Sequence, residues 1–442
     1  MRKALSAVLV AAMLVAAPSA ALAGDWPMYG KDLSNSRDGG TDGPSPTAVA
    51  SLAQAWSFKS TDGDFTGTPV VAAGTVVAGS GGGSVFALDA TTGAVVWSHD
   101  LNQPINGSAA IADGRVYVPL ATPGAPQLAA LSLADGSLLW TRTLDTQKDA
   151  DTFGSPVVWN GRVFIGISAL FGELNDPGVS VRGSLVALDA RSGKRDWKTF
   201  TVPSGFDGGA VWSTPAIDTA TGRLFVGTGN AYHKPAADTT DSILKINPTS
   251  GRIVDHFQAT AGDVWNATTG VVNGPDADFG ASPNLITGPD GQPLVGEGQK
   301  SGTYWAVDRG TLDPLWNTTV GPPSAVGGIL GSTAYDGARI YGPNTPGGEI
   351  WALGRDGSLA WLSADADPVH FAPVAVANGV VYSNDMAGFL NARDAATGVV
   401  LAKYPLGAPS WGGVSIAGGS VFTVTGTQGD SGFVEAFRPP AP

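Results

Sequence analysis

The chain has 442 residues, with 62 glycines, 31 prolines, no cysteine and a formal net charge of −13. Without cysteine there is no disulfide framework, thiolate metal site, cysteine nucleophile or covalently attached c-type haem. The acidic balance with scattered Lys and Arg argues against nucleic acid as a partner. The glycine- and proline-rich, charge-poor composition suits an all-β chain rather than a helical one.

Residues 1–23 read as a secretory signal peptide. Arg2 and Lys3 supply the positive end, 4–17 the apolar stretch, and Ala21-Leu22-Ala23 the small-residue cleavage pattern. The apolar run is short for a membrane anchor, and no later stretch is long and apolar enough to span a bilayer. An exported chain beginning near Gly24 or Asp25 is expected, in the periplasm, the cell envelope or the medium. Its lead-in, 24–51, holds DWPMYGKDLSNSRDGG, a polar segment anchored by Trp26 and Tyr29 and expected to pack on the body.

Residues 52–58, LAQAWSF, read as a strand carrying Trp56. A repeated unit follows, seen whole at 67–101 as GTPVVAAGTVVAGSGGGSVFALDATTGAVVWSHDL. Further copies span 107–144, 154–200, 213–259, 281–320, 331–364, 371–406 and 412–438. Repeats of this kind decide the fold before any single residue does. In four units a glycine precedes a tryptophan by the same interval: Gly93 and Trp97, Gly136 and Trp140, Gly193 and Trp197, Gly357 and Trp361. The glycine suits a tight turn needing positive φ, and the tryptophan is placed to dock between neighbouring units. The last unit lacks its final strand, and 52–58 has no unit of its own. The spacing therefore predicts an eight-bladed β-propeller over 52–442, its ring closed by the N-terminal strand. Closure also hides sheet edges.

Three segments exceed the repeat: SALFGELNDPGVSVRG (168–183), GNAYHKPAADTTDS (229–242) and GDVWNATTGVVNGPDADFG (262–280). Insertions on one face of a repeat array usually build the binding site. They and their neighbours supply Glu173, Trp212, Asn230, Asp278 and Lys300. Two carboxylates and an amide oxygen form a ligand set suited to Ca²⁺. A lysine and a tryptophan could hold a flat anionic cofactor. Singly, each has a plainer reading: a solvated loop acid, a docking tryptophan, a turn asparagine, a surface lysine. Trp212 lies outside the glycine-to-tryptophan interval, and Lys300 sits among glycines at the end of an apolar strand. Other constellations are weak. His99, His233, His256 and His370 are scattered, no serine stands in a G-x-S-x-G elbow, and GSGGGS (79–84) is a hairpin turn with no helix after it.

The ALDATTGAVVW units resemble the repeats of pyrroloquinoline quinone (PQQ) dehydrogenases, whose fold is an eight-bladed propeller. DWPMYGKDLSNSR, RGSLVALDARSGKRDWK, VWSTPAID with GTGN, DADFGASPNL and GQKSG resemble most the polyvinyl alcohol dehydrogenase branch. The resemblance implies Glu173 and Asn230 as calcium ligands, Trp212 as the ring stacked under the quinone and Asp278 as catalytic base and calcium ligand. Asp276 is the register alternative to Asp278. Lys300 is implied as the basic residue on the quinone oxygens. It further implies Ca²⁺ as Lewis acid, an alcohol as substrate, and a separate cytochrome, quinone or dye as electron acceptor. Two features depart from the family: Gly178-Val179 stands where an adjacent cysteine pair is expected, and Asn106 where an arginine would pair with a PQQ carboxylate. These favour a second reading, a non-catalytic propeller that scaffolds proteins or binds a ligand. A glucose- or aldose-oxidising relative is a third.

Overall fold

The turn between the third and fourth strands of each repeat sets the architecture. In the first repeat Asp89 Oδ1 accepts from the amides of Thr91 at 3.0 Å and Thr92 at 2.8 Å. Asp189, Asp308 and Asp394 cap their own turns in the same way. Gly93 then takes φ +73°, and a Cβ there would lie 2.6 Å from the Trp56 ring. Glycine is required twice over, for conformation and for contact.

In a computed structural model of the chain, residues 24–268, 271–272, 274–363 and 369–440 are described. The expected signal peptide, 1–23, lies outside them. Among the described residues are eight four-stranded antiparallel sheets, seven of which follow chain order. Blade 1 comprises Val70–Ala72, Thr75–Gly79, Ser84–Asp89 and Val95–Asp100. Blades 2 to 7 repeat this plan through Val400–Pro405. In blade 8 the strand Ala53–Ser60 pairs with Gly432–Arg438, from Ala53 opposite Arg438 to Ser60 opposite Gly432. The expected eight-bladed ring and its N-terminal closure are both present.

Tryptophans join neighbouring blades. Trp56, Trp97, Trp140, Trp197, Trp316 and Trp361 lie over Gly93, Gly136, Gly193, Gly251, Gly357 and Gly398 of the next blade. Trp97 Nε1 donates to Leu133 O at 2.8 Å and Trp361 Nε1 to Ala395 O at 3.0 Å. Two junctions differ, each with a local reason. Blade 4 carries Asp255 where the tryptophan would be. The facing turn of blade 5 has Leu312, at φ +59° and buried, in place of glycine. Lys245, paired with Asp255, donates there to Gly310 O. Blade 7 faces the ring closure instead of a turn. Its Tyr404 donates to Val49 O and accepts from the Leu52 amide at 3.2 Å, holding the short turn Val49–Ser51 ahead of the closing strand.

The lead-in packs on the body, as expected, but it is more than a peripheral strip. It runs across the innermost strands of almost the whole ring. Trp26 pairs with Val71, and Pro27 O accepts from Ile111 N. Leu33 O, Ser34 O and Ser36 O accept from Ile217, Leu285 and Tyr335, and Arg37 O from Val376. Arg37 is fully buried and donates to Val374 O at 2.6 Å, Val414 O at 3.1 Å and Tyr29 O. The strap thus ties together blades far apart in sequence and places Tyr29 in the wall of a cavity, its hydroxyl donating to Ser332 Oγ at 2.8 Å.

Candidate cofactor funnel

Around the axis the first strands are linked by hydroxyls. Ser108 N donates to Ser155 Oγ at 2.9 Å, Ser155 N to Thr214 Oγ1 at 3.1 Å and Thr214 N to Ser282 Oγ at 2.9 Å. Ser282 N donates to Ser332 Oγ at 2.8 Å. Ser108 and Ser155 of this circlet line a cavity of about 270 Å³ that is walled by Trp212, Trp411, Phe371 and Phe153, with Tyr29 from the strap. Through Thr66, Asn106 and Gln428 it adjoins an outer cavity of about 610 Å³ that Asp62, Asp64 and Asp430 line.

Four of the five predicted residues line one narrow cleft against this funnel: Glu173, Trp212, Asn230 and Asp278. The fifth, Lys300, reaches them by its ammonium. Its Nζ lies 2.8 Å from Asp278 Oδ2 and 2.9 Å from Asp276 Oδ1, and 5.3 Å from the centre of the Trp212 ring. Asp276 pairs with Lys300 but is not among the cleft-lining residues, at φ +56°.

The motifs explain themselves locally. In GTGN, a Cβ on Gly229 would come 2.8 Å from Asp278 Oδ1. Bare backbone there lets Asn230 N donate to that oxygen at 2.7 Å. Asn230 Nδ2 donates to Ala231 O and Trp265 O, both at 2.8 Å, which commits the amide nitrogen and turns its oxygen the other way. In DADFG, a Cβ on Gly280 would strike the Trp212 ring at 2.4 Å. Glu173 lies on the helix Leu170–Asn175. Asp151 Oδ2 accepts from Phe171 N at 2.9 Å and Asp151 Oδ1 from the Ser168 hydroxyl, which anchors the start of that helix.

The electrostatics are one-sided. Burial, then the charge of Asp278, pushes the Glu173 carboxyl well above the usual range. Burial and Asp278 push Asp276 up to about 7. Burial works against the charge of Lys300, but Asp278, Asp276 and Glu173 outweigh it and hold the ammonium well above its ordinary value. Asp241 and Asp263 nearby are also raised, by burial first. One cation thus serves several buried acids.

The donor set fits a calcium ion. Glu173 Oε1 is buried with no hydrogen-bond partner, and carboxylate and amide oxygens are the hard ligands Ca²⁺ takes. Among the described residues no three His, Asp or Glu side chains form a ready metal cage; the set is two carboxylates and one amide. A flat anionic quinone fits the funnel as well. Trp212 offers a face, and Thr68 Oγ1, Ser108 Oγ and Asn106 Nδ2 are buried without partners among the funnel-lining residues.

Gly178 and Val179 do not line the funnel. Val179 packs in an apolar cluster with Ala169, Val181 and Tyr232, and Gly178 is exposed. The insertion folds its apolar side chains under the helix, so the expectation that this pair stands beside the quinone is corrected. Asn106 does line the funnel. Sequence reasoning missed Tyr29, Trp411 and the hydroxyl circlet. The Ser or Thr at the second position of six units, Thr68, Ser108, Ser155, Thr214, Ser282 and Ser332, was the available signal for the circlet.

The repeat propeller thus holds an aromatic funnel beside an acid–lysine cleft. Residues 47–278 match the PQQ-repeat family described as outer membrane protein assembly factor BamB, and the chain belongs to that family. It is 29% identical to the polyvinylalcohol dehydrogenase of Pseudomonas sp, over 94% of this chain and 71% of the relative. It is 29% identical to that of Sphingopyxis sp. (strain 113P3), over 87% and 69%. The quinohemoprotein alcohol dehydrogenase structure from Comamonas testosteroni superposes with a TM-score of 0.80 at 21% identity, over 95% of this chain and 82% of that one. Within the repeat family, the chain belongs with the PQQ-dependent alcohol dehydrogenases.

Proposed function

We propose that the protein is an exported dehydrogenase that oxidises a secondary or polymeric alcohol with PQQ and Ca²⁺ and passes the electrons to a separate cytochrome, quinone or dye. The observation that carries this reading is that Glu173, Trp212, Asn230 and Asp278 line one cleft with Lys300 on Asp278. Glu173, Asn230 and Asp278 would hold the calcium ion, and Trp212 and Lys300 the quinone. When bound, the calcium–quinone pair supplies an electrophilic carbonyl that accepts a hydride.

The chain's own residues do the rest. Asp278, as carboxylate, takes the hydroxyl proton of the alcohol at one of its oxygens. Lys300 holds one oxygen of that carboxylate at 2.8 Å, and its positive charge favours negative charge growing nearby. Asn230 N holds the other oxygen. Phe153, Phe371, Trp212 and Trp411 give the funnel apolar walls that limit water.

Calorimetric titration of PQQ into the purified mature protein, with Ca²⁺ and then with chelator, tests this. Tight, calcium-dependent binding is expected; no binding at high micromolar PQQ overturns it. Asn106 in the funnel wall favours the second reading, a ligand-binding or scaffolding propeller, and that result would select it.

A further inference from the structure

We propose that a groove between blades 4 and 5, lined by Arg223, Lys245 and Arg309, binds a phosphate monoester with an apolar body. The site lies outside the funnel and does not rest on the cofactor reading.

The groove arises where the junction departs from the repeat. At six junctions an indole lies over the turn of the next blade. Here Asp255 stands in its place, and a cavity of about 450 Å³ opens beside it. Asp218, Arg223, Lys245 and Arg309 give the wall its charge, and Val254 and Pro293 give it apolar surface. Arg223 and Pro293 begin the second strands of their blades, while Lys245 and Arg309 stand at the ends of the third. Asn230 and Lys300 lie instead in the connections from second to third strand. Antiparallel order sends those connections to the other side, so the groove and the Asp278 cleft open on opposite faces of the ring.

The chain is acidic overall, with a net charge of −13, yet this wall sets three cations against the carboxylate of Asp218, with Asp255 pairing Lys245 from outside the lining. The donors are not used up. The buried ammonium of Lys245 bonds Asp255 Oδ2 at 3.2 Å and Gly310 O, two partners for three protons. Arg309 is fastened by Nε and Nη2 to Leu294 O and Ile286 O. Its Nη1 faces Asp218 Oδ2 at 3.6 Å, beyond hydrogen-bond length. Arg223 donates from Nη1 to Thr221 O and Gly222 O, and among the described residues its Nε and Nη2 take no partner. Guanidinium forks match the oxygens of a phosphate, and an ammonium adds a point charge. A carboxylate brings one charge and a phosphate monoester about two, so the excess of cations favours the phosphate. Val254 and Pro293 favour an ester over the bare ion, because they have apolar surface to cover.

Calorimetric titration of the purified mature protein with phenyl phosphate, inorganic phosphate and phenol tests this, with no quinone present. Phenyl phosphate should bind, inorganic phosphate more weakly and phenol not at all. In the double variant Arg223→Gln, Lys245→Gln, with folding followed by circular dichroism, phenyl phosphate should bind about tenfold or more weakly. Arg223→Gln alone should act in the same direction, and it decides if the double variant does not fold. Sedimentation with phosphatidylcholine vesicles containing phosphatidic acid separates two sources of the phosphate. Cosedimentation that the variant loses assigns a lipid headgroup. No cosedimentation, or an equal amount in both proteins, assigns a soluble ester where phenyl phosphate binds. Wild-type protein that does not bind phenyl phosphate, or variants that bind it undiminished, overturn the proposal.

Discussion

The ammonium of Lys300 lies 2.8 Å from Oδ2 of Asp278, with both side chains buried. Breaking a buried carboxylate–ammonium pair leaves an uncompensated charge, so the contact fixes where the Asp278 carboxylate sits. On the proposed reading that carboxylate is the base.

Replacing Asp278 with Asn should therefore abolish most of the turnover, by about 10²–10⁴-fold. Lys300 keeps Asp276 as partner, so the fold should persist. Dye-linked assays and thermal melting check the two halves, and full activity would sink the proposed base.

Calcium should raise the melting temperature if the cleft binds it. At a hundredfold excess over Kd the gain is about 2.7 kcal/mol. Chelator should reverse it. Glu173→Gln should remove much of the calcium-linked shift, because the amide cannot carry the charge. A shift identical to wild type would exclude Glu173 as a ligand.

Asp151 gives the stability a pH dependence. Burial raises its carboxyl to about 6, above an ordinary value near 3.9. The folded state prefers it protonated. Its stabilisation is full below about 4 and is lost as pH rises through about 6, to a total of about 3 kcal/mol. Asp151→Asn should flatten that part of the melting-temperature profile. A steeper decline in the variant would contradict the assignment.

The junctions should respond unequally. Trp97→Ala removes the ring over Gly136 and its bond to Leu133 O, and should cost about 3–5 kcal/mol. Gly136→Ala should also destabilise, since the added Cβ meets that ring at 2.5 Å. Leu312→Gly at the blade 4–5 junction loses a smaller buried side chain and should cost less. Denaturant midpoints order the three.

Much of this was legible in the chain. Turn chemistry and strand alternation are local, so ALDATTG followed by Trp97 announced a blade without any partner in view. The missing last strand and the spare strand carrying Trp56 announced the closure. GTGN and DADFG carry glycines, Gly229 and Gly280, that clear space beside Asp278 and Trp212, a requirement that shows in residue type. What tertiary structure alone decided was convergence and charge balance. Asn230 N meets Asp278 across 48 residues of sequence, and neither segment encodes the other's position. The destination of Val179 depended on which face of the insertion found an apolar neighbour. Arg37 reads as one polar residue in a polar stretch; only when the ring closes around the strap does its guanidinium lie buried under the funnel, because burial is a property of the whole ring and not of the local sequence.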